Sequence, residues 1–388
     1  MSLLGLRAVV IGAGIGGLAV ARALALRGAD VTLLEQACEI TEVGAGLQIS
    51  PNGFAVLRAL GLQDALVCSA VQAQAVCLKN HLGAQVVRLD LGKLPDPAYY
   101  FVHRADLIDL LAEGARDAGV RIRLLHRVTS VEGGTQPLVH IGNGTTLTAD
   151  LVIGADGLHS VLRPVLNGQS APVFTGQVAW RAVVPNMAKR EAEAWVHMGP
   201  GRHIVSYPLR GSTALNIVAV QERKQWADEG WQHADDPANL RAAFADFGAP
   251  VRDMLDQVTE ARLWGLFRHP VAQVWQRDHL ALLGDAAHPT LPFLAQGASM
   301  ALEDAWVMAD ELARCDSVAA GLAAYQMRRE ARVRRVIAAA NGNAWKYHIG
   351  FAPLRLAAHT AMRLGGKLAP VRMMRQFDWL YAHDVTAR

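Results

Sequence analysis

The sequence has little charge and little cysteine. Asp, Glu, Lys and Arg make up 19% of the 388 residues, against about 25% in an ordinary soluble domain. That scarcity excludes a disordered chain, which would be polar and highly charged, and a long coiled coil, which would be rich in Glu and Lys. The four cysteines, Cys38, Cys68, Cys77 and Cys315, form no C-x-x-C pair, so neither a metal-ligand nor a dithiol redox motif is present, and they read as reduced thiols. The formal net charge is only +3, too small for a bulk grip on nucleic acid without a clustered basic face. No apolar run reaches transmembrane length, and the first residues lack secretory-signal anatomy. These absences imply a soluble cytoplasmic protein with no nucleic-acid, membrane or metal partner. What is plentiful is hydrophobic side chain, 52% of the residues, enough to bury a large core. The length suggests about two to three domains.

Residues Leu6 to Ile11 read as a buried strand running into Gly12-Ala13-Gly14-Ile15-Gly16-Gly17, a match to G-x-G-x-x-G. A helical pattern follows from Leu18 to Leu26, then a second strand, Asp30 to Leu34, with Glu35 at its end and Gln36 beside it. Gly12 permits the tight turn, Gly14 lets the backbone approach a pyrophosphate, and Gly17 lets helix and strand pack closely. The helix N-terminus offers free N–H groups to phosphate, with Ile15 in the glycine turn before it among the cofactor-binding residues. Glu35 lies where a carboxylate accepts the ribose hydroxyls of an adenosine, and it would repel a 2′-phosphate. The site therefore reads as one for FAD or NAD.

Two later segments bear on that choice. One is the strand Leu151–Gly154, followed by Asp156-Gly157 and then Ser160 and Arg163. The other is the strand Leu280 to Leu283, followed by Gly284-Asp285 and a proline-stiffened loop through Pro292 to Gln296-Gly297-Ala298. A helix is predicted from Ser299 to Leu312, with Leu302, Trp306, Ala309 and Ala313 on its buried stripe. With the glycine motif, these segments give G-x-G-x-x-G, D-G-x-x-S-x-x-R and G-D in order. Supporting stretches are Gly44 to Gln48, Ser50-Pro51-Asn52, His103 to Leu107, Trp180 to Pro185 and Asp378 to Tyr381.

On these motifs the chain resembles the single-component flavoprotein aromatic hydroxylases, the para-hydroxybenzoate hydroxylase fold family. It is most similar to salicylate hydroxylase-like and hydroxynicotinate or hydroxybenzoate monooxygenase members. The resemblance covers essentially the whole chain. It implies an α/β (α+β composite) fold: a Rossmann-like FAD-binding domain built from discontinuous segments (1–72, 97–172 and 266–335), an inserted β-sheet substrate domain (73–96 and 173–265) and a helical C-terminal region (336–388). It also implies that Asp285 bonds the ribityl chain and that Arg104 reaches the flavin side of the cofactor. Val128 would meet adenine through its backbone, and Gln48 would lie near the flavin ring. Asp156 and Arg163 would lie near the pyrophosphate, with Gly297 and Ala298 facing the flavin. Ala295 stands where many relatives carry glycine.

In the substrate half, His203 to Leu209 and Ala214 to Val220 flank a Gly-Ser turn and read as a hairpin. His203, Val205 and Tyr207 share one face, and a two-residue turn places Asn216 opposite Tyr207; Pro208 weakens that register. The resemblance puts polar substrate contacts on this sheet, which makes His203 and Tyr207 the candidates for the catalytic base or its relay, with Pro292 in the loop at the oxygen site. His81, His197, His288, Arg181, Arg202 and Arg210 could each touch a substrate anion, and none stands out. The Arg-rich run from Arg328 to Arg335 reads as a solvated helix face.

The activity so implied is an FAD-dependent, NAD(P)H-consuming monooxygenase that hydroxylates a small, acidic phenolic or N-heteroaromatic substrate through a flavin hydroperoxide. NADH or NADPH would be a transient co-substrate, since Gly142/Gly144 and Gly199/Gly201 lack the flanks of a second dinucleotide fold, and dioxygen the oxidant. The protein is expected to be a monomer or homodimer. The alternatives are an epoxidase or oxidase, a plain NAD dehydrogenase, and a non-catalytic FAD-binding module.

Overall fold

The computed structural model describes residues 3–40, 45–224 and 233–387; Gly44 lies outside them. A six-stranded sheet forms the nucleotide-binding half. Its order is Gln276–Arg277, Leu280–Leu282, Leu151–Gly154, Arg7–Ile11, Asp30–Leu34 and Arg121–Arg123. All neighbours run parallel except the Gln276–Arg277 edge. Parallel strands are covered on both faces, and these read as near-continuous apolar runs for that reason. The three motifs follow the C-terminal ends of three adjacent central strands, where ligands of such sheets bind. Segments about 130 residues apart in sequence are thus neighbours in space.

The second half is an eight-stranded sheet ordered His233–Asp235, Ala261–Arg268, Val173–Pro185, Ala214–Glu222, Arg202–Leu209, Glu193–Gly199, Ala75–Asn80 and Gln85–Asp90. Its last sequential strand runs to Arg268, three residues beyond the expected substrate segment. Tyr207 pairs with Asn216, as the hairpin reading requires. Gly211 and Ser212 close the turn with φ of 61° and 67°, the left-handed pair that tight hairpins use. Pro208 is accommodated because the neighbouring strand pairs only as far as Ser206, so the proline lies where that side of the ladder has ended.

Helix Gly297–Arg314 packs behind the nucleotide sheet against helix Ile15–Ala25, and helix Val318–Tyr347 packs on it in turn. Val318–Tyr347 runs unbroken through the expected boundary at residues 335 and 336. The Arg-rich run is a solvated face only in part: Arg328, Arg334 and Arg335 are exposed, but Arg329 and Arg332 turn inward. Arg329 is fully buried, with its guanidinium 2.5 Å from Glu303 and 2.7 Å from Asp304. Arg332, one turn on, bonds Glu303 at 2.7 Å. Residues three apart share a helix face, and this face meets two acids that the linear pattern hides inside an apolar stripe. Burial alone would raise both acids, but Arg329 and Arg332 hold Glu303 at about 2, and His288 and Arg329 hold Asp304 at about 2.

Candidate functional site

One continuous cavity of about 1160 Å³ joins the two sheets. Ordinary small-molecule pockets run to roughly 300–1,000 Å³, so this one has room for a large cofactor and a small ring together. The glycine loop forms one end. Gly12 has φ +99°, and a Cβ there would lie 2.6 Å from the Ala155 carbonyl oxygen. A Cβ on Gly17 would fall 2.0 Å from the Gly12 oxygen, so only glycine lets helix and strand approach this closely. Gly14 differs: nothing lies within 4 Å of the place a Cβ would take. The first intrahelical bond here is Leu18 N–H to Gly14 O, so the N–H groups of Ile15, Gly16 and Gly17 precede the ladder. That open ground before a helix N-terminus suits a phosphate.

Glu35 and Gln36 line the same end. The Glu35 carboxylate accepts N–H bonds from Ala13 at 2.8 Å and Ala37 at 2.9 Å. This fixes its position, and a carboxylate with about four acceptor sites keeps capacity for two hydroxyls. Val128 lies at the adjoining wall with His126 and Arg127. Asp156 accepts from Val161 N–H through Oδ2, while its buried Oδ1 has no partner among the described residues. Burial raises its pKa.

Arg163 is a correction to the expected set, because it is not a wall of the cavity. Its buried guanidinium donates to the carbonyls of Ala286 (2.9 Å), Ala287 (3.3 Å) and Pro270. The D-G-x-x-S-x-x-R motif is therefore mainly a brace. Ser160 Oγ accepts from the N–H of Leu162 and Arg163, and Arg163 holds the loop that carries Asp285. The Asp285 side chain opens into the cavity, and the surrounding protein pushes its carboxyl up against the pull of His288 and Arg104. Arg104, at the start of helix Arg104–Asp117, also lines the cavity. Burial lowers it and Asp285 supports its charge.

Gly297 and Ala298 begin the next helix and face the same space. The first bond there is Met300 N–H to Gln296 O, so the N–H groups before it are open to a ligand. Pro292 opens a single 3-10 turn, Pro292–Leu294, on the cavity wall. Ala295 follows with φ 52° and ψ 37°, left-handed without being glycine. The departure from the glycine pattern thus falls where a side chain is strained.

The other end of the cavity is lined by Val196, Val205, Val218, Val220, Leu291, Phe293 and Trp264, with a few polar groups. Tyr207 is buried, its ring 4.9 Å from that of Phe101. Gly46 makes room for it, since a Cβ there would meet Tyr207 at 2.7 Å and Asn216 at 2.8 Å. Gln48 accepts from the Tyr99 hydroxyl at 2.7 Å. His203 is buried, held well below the usual imidazole range by burial and by His348, and so is neutral. Of the six cationic candidates for a substrate anion, only Arg181 reaches the cavity. Its guanidinium stacks 4.5 Å from the Trp264 ring, and burial and Arg104 bring it down to about 10. His288 instead bonds Asp304 at 2.5 Å, Arg202 pairs with Asp246, and Arg210 pairs with Asp106. Tyr381, from the C-terminal helices, completes the wall. Among the described residues no cluster of His, Cys, Asp or Glu could hold a metal, and no helix is long and apolar enough to cross a membrane.

The residues present fit a flavin dinucleotide on three counts. Open ground lies before one helix N-terminus, a carboxylate stands at the end of the second strand, and a second carboxylate and a second helix N-terminus meet in mid-cavity. Comparison with known proteins agrees. The family described as FAD binding domain matches residues 6–340. The chain is 37% identical over 312 residues to 3-amino-4-hydroxybenzoate 2-monooxygenase of Streptomyces cremeus, covering 77% of this chain and 76% of that one. It is 36% identical over 348 residues to 3-hydroxybenzoate 6-hydroxylase of Klebsiella oxytoca, covering 86% of each. Among solved structures, Klebsiella pneumoniae HpxO complexed with FAD and uric acid superposes with a TM-score of 0.84 at 26% identity, over 96% of each chain.

Proposed function

The chain belongs to the FAD binding domain family and is an FAD-dependent aromatic monooxygenase, and we propose that it hydroxylates a small phenolic or N-heteroaromatic acid at the expense of NADH or NADPH and dioxygen. The observation that carries this reading is the continuity of the cavity: the glycine loop, Asp285 and the apolar chamber around His203, Tyr207 and Arg181 enclose one volume. Gly14, Glu35, Val128 and Asp156 would hold the nucleotide half of FAD. Asp285, Arg104, Gly297, Ala298 and Gln48 would hold the flavin half. Bound there, FAD supplies the redox chemistry that activates oxygen.

The protein's part is to bind, orient and keep water out. The apolar chamber excludes water from the reacting face. Arg181 has no carboxylate partner among the described residues. A buried unpaired guanidinium is costly, and a substrate carboxylate or phenolate offsets that cost. Neutral His203 can take the proton of a ring hydroxyl, which makes the ring more electron-rich, and Tyr207 on the same strand face positions that hydroxyl. Pro292 stiffens the loop over the site. The relatives named above act on aminohydroxybenzoate and hydroxybenzoate, and this chamber suits such monocyclic acids.

The test is a panel of hydroxybenzoates, aminohydroxybenzoates and hydroxynicotinates. It scores NADH and NADPH oxidation, oxygen uptake and product mass on the flavin-loaded protein. One or more acids should accelerate nicotinamide oxidation and gain one oxygen atom. Oxidation that no aromatic acid accelerates, or a product without added oxygen, would reject the proposal.

A further inference from the structure

His203 does not end in the core. Its Nδ1 lies 2.6 Å from Nε2 of His348. His348, directly after helix Val318–Tyr347, has its Nδ1 2.9 Å from Oε1 of Glu222. The His348 side chain is only 1% exposed, while that of Glu222 is 53% exposed. Three side chains from two strands and a helix end thus connect the cavity wall to bulk water through hydrogen bonds. Gly201 sets the spacing: its N–H donates to the His348 carbonyl, and its own carbonyl accepts from Glu222 N–H.

We propose that His203, His348 and Glu222 form a proton outlet from the cavity to solvent, and that Glu222 fixes which nitrogen of His203 is basic. This rests on the reading of His203 as the group that accepts the substrate's proton. The tautomer argument needs only donor and acceptor counts. An ionised carboxylate accepts and cannot donate, so His348 must carry its proton on Nδ1. A neutral imidazole has one donor and one acceptor, so its Nε2 accepts, and His203 must donate from its own Nδ1. The lone pair of His203 is thereby placed on Nε2, the nitrogen that no described residue engages. Burial of both imidazoles favours these neutral forms.

Proton movement then balances without any other reactant. A hydroxyl of the substrate gives its proton to His203 Nε2 and keeps the electron pair. His203 passes the proton on Nδ1 to His348 Nε2, and His348 passes the one on its Nδ1 to Glu222, which loses it to water. One proton leaves the cavity and both rings are left protonated on Nε2; a proton passing inward by the same steps, from water through Glu222 to the hydroxyl oxygen of the product, restores the first tautomers. A closed chamber needs such a route, because a proton retained on a fully buried imidazole would oppose ionisation of the substrate. His348 and Glu222 act through His203 and are positioning residues, not catalytic ones.

The decisive measurement needs no substrate. In the flavin-loaded protein labelled with ¹⁵N-histidine, the ring nitrogens of His203 and His348, assigned with the H203N and H348N variants, should both report the Nδ1–H tautomer. Nε2–H on His203 would overturn the proposal, whatever the protein turns over. The second arm uses the best acid from the substrate panel. Glu222→Gln keeps an acceptor for His348 but cannot take a proton. It should slow hydroxylation about 10-fold or more, within the range that proton transfer supplies, with FAD affinity and KM for the acid unchanged. Glu222→Asp should recover part of the rate. Wild-type turnover in Glu222→Gln would remove the outlet even with the expected tautomers. If no acid in the panel is turned over, the activity reading fails while the tautomer arm still decides the hydrogen-bond chain.

Discussion

Gly14 and Gly17, three positions apart in the same loop, behave oppositely, and Gly14→Ala against Gly17→Ala exposes the difference. Gly14 has φ −76° and ψ −179°, extended backbone that alanine adopts freely, and its absent Cβ has no neighbour within 4 Å. The methyl loses a little as a helix cap and gains about 0.4–1 kcal/mol by restricting the unfolded chain, so the apoprotein should keep its Tm within about 2–4 °C. The methyl stands instead where a pyrophosphate must approach the N–H groups of Ile15, Gly16 and Gly17. Losing one charge-assisted hydrogen bond there costs about 1.5–3 kcal/mol, or roughly 10- to 150-fold in FAD affinity. Gly17→Ala places its methyl 2.0 Å from the Gly12 oxygen and 3.2 Å from Ala155 Cβ. Such overpacking costs about 1–3 kcal/mol or more with no ligand present. The assay is a pair of measurements on each deflavinated variant: thermal unfolding, then titration of FAD by fluorescence quenching. Wild-type FAD affinity in Gly14→Ala, or equal Tm losses in the two apoproteins, would refute the placement of the pyrophosphate.

Asp285→Ala should weaken FAD by about 10- to 150-fold, since a hydrogen bond to a charged group contributes about 1.5–3 kcal/mol. The apoprotein's Tm should hold or rise, because a carboxylate raised by burial is lost; retained affinity in the same titration would exclude the assigned contact. Ala295→Gly should stabilise the protein by about 1 kcal/mol, the left-handed penalty less glycine's own entropy, visible as a higher denaturation midpoint. Glu303→Gln should cost about 3–5 kcal/mol, because Arg329 and Arg332 lose a buried partner. The same acids set an acid limit. Their folded pKa values, about 2, lie below the ordinary values of about 4, so their stabilisation is complete above about pH 4 and is lost as pH falls towards 2. A Tm-against-pH curve that stays flat over that window would contradict the pairing.

The nucleotide half was legible because its demands are local. A turn that admits only glycine, an acid at the end of the next strand and a Gly-Asp after a buried run each leave their mark within a few residues. The pairing of Tyr207 with Asn216 was legible for the same reason, as one turn sets the register. What escaped depends on partners far along the chain. Arg329 looks like surface charge until Glu303 and Asp304 are brought against it. Arg163 carries a family motif, yet the backbone carbonyls it holds have no sequence signature. His203 could be singled out from its strand face, but His348 and Glu222 lie 145 and 126 positions from their partners in that hydrogen-bond chain.

Arg332 does more than neutralise Glu303. It also donates to the carbonyls of Trp379 and Leu380, and so fixes the segment that brings Tyr381 to the cavity. The chamber therefore takes its walls from residue 11 to residue 381. On a ribosome adding about 5–20 residues per second, the glycine loop emerges many seconds before the last wall. The nascent chain carries an apolar basin without its rim throughout that interval. Closure of the chamber must then be a late event of biogenesis.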